Sequence, residues 1–495
     1  MPITTNYPGV YVKEDNALSM SISSGSTCVP LFVFDPFIDS DKNKTAYTIK
    51  PEFDKIIKVD SWLDYLSKLG GFINDVREKH TSSIIVDKIG GDKKDHNKLN
   101  ESNFFATESY YRQMKALGYF PLQMYFENGG GGCYIYLTTQ VSKTRGPKDD
   151  IRSVTLDHYD PDLTKIDFTT LAEQTLAYPD ITIISLGGHK EINEKAYLAI
   201  SSLLTQANGH AAPLFCVTGS DDITDARSTY NVGQQTAAYY PYFNTSYTLS
   251  LNDLSPNNIH FEGISEDGTK ILDKTSSTLS SLLTNPSLSR FARQAIVDLQ
   301  RQVVLSPVYA VLGAYCKTDS ERGVWKAPAN ITLSGVTGLC NALGKEVVVT
   351  ESVNGTLLKN GINAIRYFPS TGYTIWGART MVPDTDLTWR YIPVRRLFNI
   401  AERDIKEAMA KAVFEPNSPV TWEILRSAVD AYLYNLWKQG ALFGEKPEQA
   451  YFVKIGLGTT MTAEEINDGK MIIKVGMAAV RPAEFIILEF SQKQI

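Results

Sequence analysis

Glycine next to a titratable side chain is where anion chemistry would begin, and the chain offers one such stretch. In "SLGGHKE", Ser185 to Glu191, an apolar run ends in Gly187 and Gly188 and is followed by His189. Strands that end in glycines ahead of a helix are where α/β proteins hold anionic ligands, and a histidine there titrates near neutral pH. The dinucleotide fingerprint GxGxxG is incomplete, however, so a plain strand-to-helix turn is the expectation. A second glycine run, "ENGGGGCYIYL" from Glu127 to Leu137, leads into the alternating strand Cys133 to Leu137 rather than into a helix, so it reads as a tight turn and not a phosphate cradle. A third stretch, "ERGVWKAPAN" from Glu321 to Asn330, packs opposite charges, Gly323, Trp325, Lys326 and Pro328 together as an active-site loop would.

No further signature supports catalysis. His80, His96, His158, His189, His210 and His260 form no HExxH or other close ligand pair, and there is no CxxC, no GxSxG elbow and no GxxxxGK[ST] loop. The reading therefore assigns no catalytic residue, no metal ligand and no cofactor. Cys28, Cys133, Cys216, Cys316 and Cys340 are odd in number, widely spaced and mostly in apolar surroundings, which points to reduced, buried thiols in a cytoplasmic product rather than disulfide staples.

The elements that would carry these stretches divide by texture. At 495 residues the chain exceeds the size at which one core keeps growing, so two to four domains are expected. Residues 39–103 are rich in Lys and Asp, as in "GGDKKDHNKLNES", and read as a small exposed insert. Residues 104–285 alternate strands and helices: "DITIISLGG" is a buried strand, "INEKAYLAISSLLTQA" an amphipathic helix and "APLFCVTGS" a second strand, a βαβ unit. Residues 286–495 hold longer helices and then strands. One helix has Ser418 as N-cap, Pro419 at its first position and Gly440 beyond its end, with Trp422, Leu425, Val429, Tyr432 and Leu436 forming an apolar stripe. The segment Arg395 to Val413 is also helical by its period, through Leu397, Ala401, Ile405, Ala408 and Ala412, with a charged opposite face. The class is mixed α/β, multidomain.

Composition excludes several functions. The excess of 55 acidic over 49 basic residues is small for this length, which argues against general nucleic-acid binding. The apolar runs fall short of the ~20 residues that span a bilayer, and the first residues lack a basic start followed by an apolar stretch, so neither membrane insertion nor a secretory signal is expected.

Both ends of the chain carry β-prone arms. "YPGVYVKE", with Val10, Tyr11 and Val12, starts after a Pro-Gly turn, and "PAEFIILEFSQKQI" closes the chain with Phe485, Ile486, Ile487, Leu488 and Phe490 apolar on both faces. Left in water these side chains would cost roughly 1.5–3 kcal/mol apiece, so something must cover them. A strand of this kind suits addition to a sheet edge, in the same molecule or a neighbour.

The stretches "YPGVYVKE", "FENGGGGCYIY", "AAYYPYF", "YAVLGAYCKTDSERGVWKAPAN", "GINAIRYFPSTGYTIWGART", "WRYIPVRRLF" and "VGMAAVRPAEFIILEF" resemble, in order and wording, contractile tail sheath proteins. "GLGTTMTAEEINDGKMIIKVGMAAVRPAEFIILEF" is most similar to sheaths of extracellular contractile injection systems of the antifeeding-prophage and virulence-cassette type. The resemblance implies a conserved sheath domain built from both chain ends (residues 1–38 and 286–495) and an inserted outer domain (residues 104–285); the variable insert 39–103 is read from composition and lies outside the resemblance. It also places "ERGVWKAPAN" in a fold-defining loop. The implied partners are further copies of the chain in a helical homopolymer of stacked hexameric rings, an inner tube protein, baseplate and terminal cap proteins and paralogous sheaths. Production without a signal peptide in the bacterial cytoplasm, followed by incorporation into a particle, is implied as well. Separately from the resemblance, the charged faces of the two long helices make either Arg403, Lys406 and Lys411 on the first or Arg426 and Lys438 on the second the candidate inner-tube contacts, the sequence leaving both sets open. The alternatives are the sheath of a phage virion and a nucleotide-binding α/β enzyme using the Gly187–Gly188 turn.

Overall fold

A computed structural model describes residues 20–34, 52–79, 82–89, 104–107, 118–137, 168–185, 203–204, 214–220, 233–248, 259–265, 270–272, 278–284, 289, 302–341 and 344–484. In chain order the first elements are β1 (Pro30–Phe34), β2 (Ile56–Val59), α1 (Trp62–Lys79), β3 (Ser82–Ile89), β4 (Phe104–Thr107), α2 (Tyr119–Glu127) and β5 (Cys133–Leu137). Next come α3 (Phe168–Thr175), β6 (Ile183–Ser185), β7 (Phe215–Gly219), β8 (Thr236–Tyr240), β9 (Tyr242–Thr248), β10 (Ile259–Ser265), β11 (Lys270–Leu272), α4 (Leu279–Thr284) and β12 (Gln302–Leu305). They are followed by α5 (Val308–Arg322), β13 (Ile331–Thr332), β14 (Val336–Cys340), α6 (Glu351–Lys359), β15 (Ile362–Phe368), β16 (Gly372–Trp376) and α7 (Ile392–Ala410). The last are α8 (Pro419–Lys438), α9 (Pro447–Ala450), β17 (Tyr451–Lys454), α10 (Ala463–Asn467) and β18 (Lys474–Met477).

The chain forms two compact units, residues 26–399 with 481–495 and residues 1–25 with 400–480. The larger is organised by a nine-stranded sheet in the order β13-β16-β15-β8-β7-β6-β1-β5-β2. Strands β15, β8, β7, β6, β1 and β5 run parallel, and β16, β13 and β2 are added antiparallel at the edges. A parallel sheet is covered on both faces, so its strands must be apolar throughout rather than alternating. "PLFVF" in β1, "CYIYL" in β5 and "TAAYY" in β8 are buried at every position. The expected strands at Ile183 and Phe215 are present as parallel neighbours, Ile184 opposite Cys216. Smaller sheets β11-β10-β3-β4 and β12-β9-β14 complete this unit.

Within residues 39–103, the described stretch 52–79 departs from the exposed insert that composition suggests. β2 pairs with β5 inside the large sheet, and Tyr65, Leu69 and Ile73 of α1 are buried in the same core. The lysines and aspartates mask these apolar positions because they are spaced for one helix face and one sheet edge. The stretch "GGDKKDHNKLNES" itself lies outside the described residues.

Helix α5 is buried along almost its whole length, from Val308 through Cys316, and packs on α2. The approach is close enough that a side chain at Gly313 would press into the carbonyl oxygen of Tyr125. "ERGVWKAPAN" ends this helix: Gly323 takes φ 89°, Trp325 lies over the space where its Cβ would be, and Val324 and Ala327 are buried. Asn330 then donates its N–H to Ile375 and starts β13. The loop joins a buried helix to an edge strand.

In the smaller unit α8 begins and ends where expected, with Leu425, Val429, Tyr432 and Leu436 buried and Trp422 half-buried. Helix α10 starts on a capping box in which Thr462 and Glu465 satisfy one another's backbone N–H. Helix α7 starts at Ile392 instead of Arg395, because Pro393 sits in the first turn, where a missing N–H costs nothing. It closes at Ala410. No helix among the described residues is long and apolar enough to cross a membrane.

Candidate functional site

The features that could serve an assembling protein are the described residues beside the two terminal stretches and a two-stranded sheet, β17–β18. Val10, Tyr11, Val12, Phe485, Ile486, Ile487, Leu488 and Phe490 lie outside the described residues, and so does His189. Residues 20–34 and 481–484, next to those stretches in sequence, are described.

The C-terminal root is held by charge. Glu484 accepts two hydrogen bonds from Arg379, Nε to Oε1 and Nη2 to Oε2, both at 2.7 Å, and a third from the Tyr391 hydroxyl at 3.2 Å. Arg379 is buried, and its remaining donors reach the Leu358 carbonyl and Asp384, each at 3.3 Å. Such a fork matches a carboxylate in both direction and charge. Burial, and after it the Glu484 charge, pushes the Tyr391 phenol above its ordinary range, so it remains a donor.

The N-terminal root is fastened to α5. Asp319 and Arg396 form an ion pair with both side chains 2 % exposed, through contacts of 2.6 and 3.1 Å. The same guanidinium donates to the Thr27 carbonyl at 3.0 Å and lies 4.9 Å from the Tyr315 ring centre. Beside Thr27, the Sγ atoms of Cys28 and Cys316 are 2.8 Å apart, and the Tyr125 hydroxyl is 3.3 Å from Cys316 Sγ. Within the smaller unit, Gly25 donates its N–H to Asp404 at 3.3 Å. Asp404 also accepts from Tyr432 at 2.9 Å and from Arg403 at 2.9 and 3.2 Å.

The receiving feature is the antiparallel pair β17–β18, with Tyr451 opposite Met477 and Lys454 opposite Lys474. Among the described residues neither strand has a second neighbour in the sheet. Phe452 on β17 lies over Gly476 and is 49 % exposed, while Phe443, bonded to Ala478 just beyond β18, is 73 % exposed. Bare strand edges flanked by exposed aromatic rings are costly in water and suited to taking another strand.

The expected inner-tube residues separate into two kinds. Lys406, Lys411 and Lys438 are exposed, and Arg426 is paired with Glu423 on its own helix. Arg403 is buried against Asp404, so it does not belong to a solvated charged face. Arg395 and Arg396, on the same helix, are likewise buried. The helical period alone could not show this, because their partners come from distant segments. Nor did spacing mark Arg379 with Glu484 or Asp319 with Arg396; the only signal was their presence within the recognised stretches.

Comparison with known proteins agrees with this architecture. Residues 384–493 match the phage tail sheath C-terminal domain family. The fold is similar to the helical sheath of the anti-feeding prophage in its contracted state, 34 % identical with a TM-score of 0.60, covering 99 % of this chain and 100 % of that one. It is also similar to the contracted sheath complex of PVC, an extracellular contractile injection system, 31 % identical with a TM-score of 0.58 and 99 % of each chain covered. The tail sheath protein of Vibrio phage KVP40 is 32 % identical over 193 residues, which are 39 % of this chain and 27 % of that protein, so the match spans about a quarter of that relative. The chain belongs to the contractile tail sheath proteins, and its likeness to the sheaths of extracellular contractile injection systems runs over its whole length.

Proposed function

We propose that this chain is the structural subunit that polymerises as a helical sheath around an inner tube and contracts to drive that tube through a target envelope. The observation that carries the proposal is the β17–β18 pair with both outer edges unpartnered among the described residues, in a chain whose terminal sequences are β-prone and apolar. An arm of one copy laid on this sheet in the next is a heterologous contact, which propagates as stacked rings or an open helix rather than closing as a dimer. With the arms linked, the bodies can shift between an extended and a wider, shorter packing, and a few kcal/mol per subunit, summed along a tube, drives contraction without nucleotide hydrolysis.

The inner tube, the baseplate and the terminal cap are the partners this reading requires. Residues 104–285 and 286–399 share one nine-stranded sheet, β8 pairing with β15, so they are not separate inner and outer domains; the unit built from residues 1–25 and 400–480 is the part that faces the tube in this reading. Full-length likeness to two injection-particle sheaths, against a 39 % match to the phage protein, favours an injection particle over a virion tail. Negative-stain microscopy of the concentrated pure chain tests the proposal. Rings, tubes or polysheath are expected, whereas compact single particles at every concentration would contradict it.

A further inference from the structure

We propose that Cys28 and Cys316 form a disulfide-exchange site that small-molecule disulfides oxidise to an intrachain cross-link, fixing the root of the N-terminal arm covalently to helix α5. This goes beyond the assembly reading and stands independently of it.

The geometry is that of a pair waiting to close. The two Sγ atoms are 2.8 Å apart, so a bond of about 2.05 Å requires a movement of under about 1 Å. Cys28 is half-buried, in the segment just before β1, and Cys316 is buried on α5 behind it. The Thr27 carbonyl is already held by Arg396, which is paired with Asp319 one turn along α5 from Cys316, so the segment carrying Cys28 is presented in place. As a thiol, Cys316 donates towards Cys28 Sγ and, at 3.4 Å, towards the Cys28 carbonyl. As a thiolate it accepts from Cys28, from the Tyr125 hydroxyl and from the Gly131 N–H, and these donors hold its pKa below the ordinary thiol value. Cys133, Cys216 and Cys340 are fully buried, and burial pushes Cys216 up to about 12.

The chemistry balances with a low-molecular-weight disulfide RSSR as oxidant. Burial, and after it the hydrogen bond with Cys316, raises the Cys28 thiol above its ordinary value, so Cys28 passes its proton to the adjacent Cys316 thiolate as its sulfur attacks one reagent sulfur, expelling RS⁻, which later takes that proton, and leaving a mixed disulfide. Cys316 then attacks the Cys28 sulfur and expels the second RS⁻. Two protein thiols are oxidised and RSSR is reduced to two RSH.

The test uses the full-length chain, reduced, desalted and then held with oxidised glutathione before denaturation. It should lose two of its five thiols and two hydrogens in mass, and a non-reducing digest should contain one peptide pair joined through Cys28 and Cys316. Cys28→Ser should keep every remaining thiol under the same treatment. Five surviving thiols, a glutathione adduct resting on Cys28, or a disulfide between two chains would overturn the proposal. If Cys28→Ser does not fold, the wild-type digest decides alone.

Discussion

Arg379 and Glu484, 105 residues apart in sequence, meet in a two-point ion pair with both contacts at 2.7 Å. Glu484 directly precedes the apolar sequence Phe485 to Phe490, so this pair fixes the last described residue of the chain to the body. An arm that crosses to a neighbour transmits force only if its root does not slip.

Glu484→Gln is therefore expected to loosen the root without unfolding the body. Losing the charge from a partly buried pair should cost about 2 kcal/mol, which would speed amide exchange across residues 481–484 by roughly thirtyfold. Hydrogen exchange with mass-spectrometric readout checks this, and unchanged exchange would show that the pair bears no load.

Asp319→Asn leaves the Arg396 guanidinium buried and unpaired, and should destabilise the larger unit by about 3–5 kcal/mol. The double variant Asp319→Leu, Arg396→Met should recover much of that loss, because it removes both buried charges at similar volume. Urea denaturation of the singles and the double, read as a cycle, measures the coupling.

Gly313→Ala should cost about 1–3 kcal/mol, since the added methyl meets the Tyr125 carbonyl on a neighbouring helix and two packed helices must part. A methyl at Gly131 has open space, so Gly131→Ala is the matched control and should be near neutral. Thermal unfolding of the two variants distinguishes them.

The same contrast explains how much of this fold was legible in the sequence. Strands buried on both faces declare themselves as continuous apolar runs, and α8 is bracketed by Ser418, Pro419 and Gly440, so both follow from local rules. Tyr65, Leu69 and Ile73 were hidden because their burial depends on a sheet whose strands come from far along the chain. Arg403 read as a solvated charge because Asp404 precedes no obvious motif, and its burial follows from Tyr432 and Gly25 converging on that carboxylate. The receiving pair β17–β18 was invisible for a related reason: Tyr451–Lys454 and Lys474–Met477 are short, carry lysines and are separated by α10. Strands this short, with one lysine each, do not show the continuous apolar run of a core strand.

Attachment to an inner tube, if electrostatic, should depend on the exposed lysines. Reversing Lys406 and Lys411 together should lower the yield of tube-filled particles at low salt more than reversing Arg426 and Lys438, because Arg426 is already engaged by Glu423. Arg403→Glu should instead lower the stability of the chain, as its guanidinium is buried on Asp404. Unaltered yields from both double reversals would rule out an electrostatic grip.

The central claim, that an arm of one copy completes the β17–β18 sheet of another, is tested most directly by isotope-mixed cross-linking. Chains labelled with heavy and light nitrogen are mixed before assembly, with a photo-reactive residue replacing Ile487. Digestion of the assembled polymer should yield cross-links from position 487 to Tyr451–Lys454 or Lys474–Met477, with heavy and light partners combined in statistical proportion. Cross-links to those strands that join only like-labelled peptides would show the arm folding back on its own chain, and would contradict the account.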